Sequence, residues 1–174
     1  MQNFRYIGFI NIDLIKSKIN LFSENDWNEF DYRQKTFEVH KNTQTIPLIF
    51  DNDFRVSNPT YLKHSLQFED FLNKIKKLYS KKFGTGFIIR AILVNLKANC
   101  NIDRHIDGGV SLTISNRTHI PIITNDNVLF EVDNEIKQLK EGEIWEINNT
   151  NKYHSVVNNS NQDRIHLIVD WIVE

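Results

Sequence analysis

RIHLIVDWIV (164–173) reads as a β-strand with two chemically different faces. Alternate residues of a strand point to opposite sides. Ile165, Leu167, Val169 and Trp171 therefore form a packing face, and Arg164, His166, Ile168 and Asp170 share the other. An arginine inside so apolar a strand is costly to bury unless it meets an anion. Its planar fork suits a carboxylate held through two bonds. The other reading of Arg164 is an ion pair with Asp163 or Asp170 at the strand edge.

Upstream of this strand, β-rich runs follow one another: FIIRAILVNL (87–96), VSLTI (110–114), THIPIIT (118–124), VLFEV (128–132), EIWEI (143–147) and YHSVV (153–157). Turn residues separate them, at Gly108-Gly109, Asn125-Asp126-Asn127, Gly142 and Asn158-Asn159. Many short strands with such punctuation predict an antiparallel sandwich or barrel. The first half is mixed. FRYIGFINI (4–12) and TIPLIF (45–50) read as strands, and Ser23 caps a short helix that runs through Trp27 and Phe30. Phe68, Phe71, Leu72, Ile75 and Leu78 recur at helical spacing and predict an amphipathic helix over about 67–81. The expected fold is mainly β (α+β): a double-stranded β-helix, or cupin-like jelly roll, with the N-terminal helices packed on its outside. One domain, 1–174, is expected. Residues 1–84 would be a helix-containing support on the substrate side, and 85–174 the β-helix core with the metal site.

Forty per cent of the 174 residues are hydrophobic, which supplies a sizeable core. The net charge of −1 gives no reason to expect nucleic acid or an acidic membrane surface as partner. The N-terminus shows no long apolar run and no small-residue cleavage site, so neither a signal peptide nor a membrane span is expected. The single cysteine, Cys100, forbids an internal disulfide and fits a reducing compartment, so a cytoplasmic location is expected. Cys100 itself reads as a small apolar filler on a strand.

His105-Ile-Asp107 places two metal-ligating side chains two residues apart, on one side of an extended chain, and Gly108-Gly109 lets the backbone turn directly afterwards. His154 arrives from a later strand, with Arg164 at +10 from it. Two imidazoles and one carboxylate hold iron(II) on one face and leave other positions open. An arginine adds a fixed cation for a dicarboxylate co-substrate. The set suggests an iron(II)/2-oxoglutarate oxygenase. The spacing alone also allows a surface ion pair between His105 and Asp107, with His154 an ordinary strand histidine. Arg117 and His119 share a face and are candidates for a second anchor on a small acid, against a structural salt bridge and a satisfied histidine.

At these residues the chain resembles the aspartyl/asparaginyl β-hydroxylase family of iron(II)/2-oxoglutarate oxygenases, which includes proline cis-hydroxylase-like members. The resemblance runs from about Arg90 to Asp170, through HIDGG, RTHIPIIT, the Glu141–Ile147 stretch, HSVVN and DRIHLIVD. It implies that His105, Asp107 and His154 are the iron ligands and that Arg164 holds the distal carboxylate of 2-oxoglutarate. Arg117 and His119 match the pair near its metal-bound end. It also implies hydroxylation of an unactivated C–H, with O2 consumed and 2-oxoglutarate decarboxylated to succinate and CO2. Ala98-Asn99 stands where family members often carry Pro-Gly. Asp107 makes the chain more similar to the bacterial small-substrate branch than to the animal branch, which lacks the acidic ligand. The substrate expected is a free amino acid such as proline, or an Asp, Asn or Pro residue in a peptide or protein. Arg33, Gln34 and His40, with Trp27, are candidates for a wall that grips its carboxylate, against a structural or solvent-facing role for each. The rival readings are a cupin-type metalloenzyme without 2-oxoglutarate and a non-catalytic ligand-binding β-barrel.

Overall fold

A computed structural model describes residues 2–55 and 59–174. All strand pairs are antiparallel and fall into two sheets. The larger has seven strands in the order β1 (Phe4–Phe9), β9 (Glu143–Ile147), β6 (Asn116–Ile123), β11 (Arg164–Val173), β4 (Gly86–Leu96), β2 (Thr43–Phe50) and β3 (Thr60–Tyr61). The smaller has four: β5 (Asn101–His105), β10 (His154–Asn158), β7 (Val128–Val132) and β8 (Glu135–Lys137). The jelly-roll expectation holds.

The two faces of β11 divide as its alternation predicts. Ile165, Leu167, Val169 and Trp171 lie in the main apolar cluster, on the outer side of the large sheet. There they meet Ile15 and Ile19 from α1 (Asp13–Ile19), Trp27 from α2 (Glu24–Glu29), and Phe71, Leu72, Ile75 and Tyr79 from α4 (Glu69–Phe83). Each such side chain contributes about 1.5–3 kcal/mol on burial. α2 starts on a capping box, in which Ser23 and Asp26 satisfy each other's backbone N–H groups. A second cluster, with Phe4, Leu96 and Ile147 of the large sheet against Ile102, Phe130, Val132 and Val156 of the small one, closes the space between the sheets. The inner face of the large sheet thus changes from apolar to polar along β11, β4 and β6.

Four local readings are corrected. VSLTI is not a strand: it forms a helical turn, α5 (Val110–Ile114). Ser111 Oγ donates to Asp51, its N–H donates to Phe54 O at 3.0 Å, and these tethers outweigh the β-propensity of Val and Ile. The first strand ends at Phe9 rather than reaching residue 12. Cys100 lies in the turn before β5 and packs against the inter-sheet cluster from there. β5 ends at His105, so Asp107 sits just past the strand rather than on it. Among the described residues no helix is long and apolar enough to cross a membrane.

Candidate active site

β5 and β10 are neighbours, with His154 directly opposite His105. Opposed residues of an antiparallel pair project to the same side, and the two rings lie 4.2 Å apart between centroids. Asp107 reaches the same point from the segment beyond β5, where Gly109 adopts φ +115° and turns the chain away. His105 Nε2 is 3.5 Å from Asp107 Oδ1, and His154 Nε2 is 3.7 Å from Asp107 Oδ2. One ligand atom from each residue lies within 4.8 Å of the other two. His105 Nδ1 lies 2.7 Å from Asp103 O, which fixes that nitrogen as the protonated one and leaves the Nε2 lone pair for a metal. Asp107 is held on both sides: its N–H donates to Asn149 O at 2.9 Å, and its Oδ2 accepts from Asn149 Nδ2 at 2.9 Å and from Arg117.

The surroundings of this cluster favour an ionised Asp107 and a neutral His154. Burial tends to raise the Asp107 carboxyl, but the Arg117 cation beside it more than offsets this and holds it well below the usual carboxylate range. Burial lowers His154 to about 4, against the pull of Asp107. His105 Nε2, His154 Nε2 and an Asp107 oxygen converge on one point, the two-nitrogen, one-oxygen set that suits a divalent cation. The residues present fit iron(II).

Arg117 and His119 of β6 point to the same inner face. Arg117 faces Asp170 across the β6–β11 register and donates to both its oxygens, from Nε at 2.7 Å and from Nη2 at 2.8 Å. Burial disfavours this cation, but Asp170 and Asp107 more than offset it and raise its pKa. Arg164 differs. It is 1% exposed, and among the described residues no carboxylate lies within ion-pair distance of it. The strand-edge pairing with Asp163 or Asp170 does not form: Asp163 bonds Asn95, Lys97 and Ala98, and Asp170 bonds Arg117. Arg164 Nη2 donates to His166 Nδ1 at 2.5 Å, and its Nε has no partner. Burial pushes Arg164 down to about 9. Burial, then the Arg164 charge, holds both His119 and His166 well below the usual imidazole range. His119 Nδ1 and His166 Nε2 are also buried without partners. A narrow cleft has His105, Asp107, His154, His119 and Arg164 in its walls, with His166 behind Arg164.

The cleft opens into a cavity of about 400 Å³ in front of the metal ligands. Arg33 and His40 line both spaces. Arg33 lies on α3 (Tyr32–Thr36), and burial followed by the Arg117 charge pushes it down to about 9. His40 is lowered to about 2 by burial and then by Arg33. Trp27 is not part of the site: it is buried in the outer cluster against Phe22. Gln34 lies back from the cavity, donating to Thr43 and Thr45. Sequence reasoning missed Asn149, which stands in a run of polar turn residues with nothing to mark it. It also missed the pairing of Arg90 with Asp51 beneath Phe50 and Phe54; the signal was an arginine within the apolar run of β4 and an aspartate directly after β2.

The family described as aspartyl/asparaginyl beta-hydroxylase matches the chain over residues 61–173. No curated protein matches it. Among solved structures, an oxidoreductase of the 2OG-Fe(II) oxygenase family from Burkholderia pseudomallei superposes with TM-score 0.61 at 16% identity, covering 75% of this chain and 67% of that one. A prolyl-4-hydroxylase from Pseudomonas putida gives 0.57 at 9% identity, covering 100% and 94%. A non-heme monooxygenase, ThoJ, in a nickel complex gives 0.58 at 9% identity, covering 98% and 74%. At these identities the likeness is one of fold.

Proposed function

Because the chain belongs to the aspartyl/asparaginyl β-hydroxylase family, we propose that this oxygenase hydroxylates an unactivated C–H of an amino acid, free or within a peptide, using iron(II) and 2-oxoglutarate. The observation that carries this reading is Arg164. A fully buried cation with an unpaired Nε and no carboxylate beside it stands along one cleft with three metal-ligating side chains. A buried charge of this kind costs several kcal/mol unless an anion arrives. A dicarboxylate that reaches from the metal to Arg164 answers that cost.

In this reading His105, Asp107 and His154 hold iron, and His119 and Arg117 border the metal-proximal end of the co-substrate. Bound iron, with 2-oxoglutarate and O2, supplies the oxidising power for C–H cleavage, and succinate and CO2 are released. The protein supplies position and dryness. Asp103 O and Asn149 orient the ligands, Arg117 keeps Asp107 ionised and aimed, and Phe130 and Val156 line the cleft with apolar surface. The substrate occupies the cavity in front.

The test is an anaerobic titration of the metal-free protein with iron(II) and 2-oxoglutarate, following the visible charge-transfer band of the chelate. The band is expected in the wild type, lost in His154→Ala and shifted to higher 2-oxoglutarate in Arg164→Ala. Metal binding without any band would transfer the weight to a cupin-type enzyme that does not use 2-oxoglutarate.

A further inference from the structure

We propose that Asp26, Glu29 and His64 form a second metal site, which binds a divalent transition-metal ion such as zinc(II) and fastens α2 to the turn that precedes α4. Among the described residues they are the other group whose ligand atoms all lie within 4.8 Å of one another. Asp26 and Glu29 are three apart on α2 and share a face of that helix. His64 comes from the turn between β3 and the 3₁₀ turn Ser65–Phe68. Two carboxylates on a helix do not make a site. His64 does: the residue is 8% exposed, and its Nε2 is buried without a hydrogen-bond partner. That nitrogen lies 3.6 Å from Asp26 Oδ1, beyond hydrogen-bond reach. Two ligand atoms on one tetrahedral zinc, each about 2.0–2.2 Å from it, stand about 3.3–3.6 Å apart. The pair is therefore spaced for coordination, and an ion between them satisfies the buried nitrogen.

The parts are held in place. Asp26 Oδ2 is committed to the capping box, accepting from Ser23 N at 2.9 Å and Ser23 Oγ at 2.7 Å, which leaves Oδ1 to the site. The His64 ring packs edge-on against Phe22, with centroids 4.8 Å apart. Its Nδ1 lies 3.2 Å from the side-chain amide of Gln67. With the amide oxygen turned toward it, Nδ1 carries the proton and Nε2 keeps a lone pair for the ion. A cation already marks the spot: Lys63 Nζ is 3.0 Å from Glu29 Oε2 and 3.5 Å from Asp26 Oδ1. Its side chain is 62% exposed and can swing into water when a metal binds. A cavity of about 270 Å³ beside the cluster has room for the water that completes four ligands. One imidazole with two carboxylates suits zinc(II) and its transition-metal neighbours better than calcium or magnesium, which take oxygen ligands. α2 leads on into α3, which carries Arg33 in the wall of the front cavity, so an ion here steadies that wall.

The test is a calorimetric titration with zinc(II) alone, on chelator-treated whole chain carrying His105→Ala and His154→Ala, which removes the other metal cluster. About one equivalent is expected to bind at micromolar concentrations and to raise the thermal unfolding midpoint. Adding Glu29→Gln should weaken binding by at least the roughly 10–100-fold that loss of an outer-sphere partner costs. Adding Lys63→Met should tighten it about 2–5-fold, the worth of the exposed ammonium pairs it deletes. A His64–Asp26 contact that only braces the fold predicts no such tightening. Glu29 and Lys63 both have exposed side chains, so these changes spare the core, as His64→Ala would not. In the otherwise wild-type chain, Glu29→Gln should remove one of about two equivalents. No saturable binding in the double variant, or an affinity indifferent to both Glu29→Gln and Lys63→Met, would overturn the proposal. Because the double variant lacks the first cluster, either result leaves the oxygenase reading to its own test.

Discussion

Arg117 and Arg164 are both buried on the inner face of the large sheet, and they differ in what surrounds them. Arg117 answers two carboxylates, Asp170 and Asp107. Among the described residues Arg164 has no carboxylate within ion-pair distance, and its Nη2 donates to His166. Removing one member of a buried ion pair leaves the other charge stranded and costs about 3–5 kcal/mol. Arg117→Met is therefore expected to lower the urea midpoint sharply and to weaken metal binding, because Asp107 loses the group that aims it. Arg164→Met should leave the ligand-free protein as stable as the wild type or more stable, since it deletes an uncompensated charge. The stabilisation that a given concentration of 2-oxoglutarate gives to the iron-loaded protein should shrink in that variant. A large loss of stability in ligand-free Arg164→Met would show that some anion already satisfies this arginine and would count against its role.

The segment between β5 and β6 shows how a local conformation sets the site. Gly109 sits at φ +115° and ψ 147°, a combination that side chains with a Cβ rarely adopt. A Cβ there would also meet Phe54 at 3.4 Å. Gly109→Ala should cost about 1–3 kcal/mol and lower metal affinity through Asp107, two residues away; unchanged unfolding and metal titrations would refute the strain. The Gly-Gly pair was legible in the sequence as a corner, and so was the two-faced β11. The amphipathic helix was also legible, and begins at Glu69 after a 3₁₀ turn rather than at about residue 67. What followed the corner was not legible. Val110–Ile114 has strand-forming residues, and the long-range tethers from Ser111 to Asp51 and Phe54, with the local bonds of Thr113 to Gly109 O, hold it as a helical turn. The same limit explains Trp27. Its helix was recognised, but the face it presents depends on where α2 packs, and it packs its ring into the outer core rather than toward the cavity.

Across the whole molecule, the buried histidines set how stability responds to acid. His40, His119 and His166 are all buried, all have one ring nitrogen without a partner, and all are held below the usual imidazole range, His40 at about 2. In the unfolded chain each titrates near 6.5. Between that value and the depressed folded value the unfolded state binds more protons, so stability falls as pH falls. Each group loses about 1.4 kcal/mol per pH unit below 6.5, and these three with His154, which burial lowers to about 4, lose about 5 kcal/mol between pH 7.5 and 5.5. That is a large part of the 5–15 kcal/mol typical of a domain. Asp107 acts in the same direction at lower pH. Its folded value is depressed, so its contribution is lost only as the carboxyl protonates below about pH 4. Urea unfolding of the metal-free protein at pH 7.5, 6.5 and 5.5 should therefore give midpoints that decrease progressively, with most of the decline below 6.5. The triple variant His40→Gln, His119→Gln, His166→Gln should show a much flatter profile even if its midpoint at pH 7.5 is lower. A wild-type midpoint that stays constant from pH 7.5 to 5.5 would mean that these rings accept protons without unfolding, and hence that water or an anion already reaches the inner face of the large sheet.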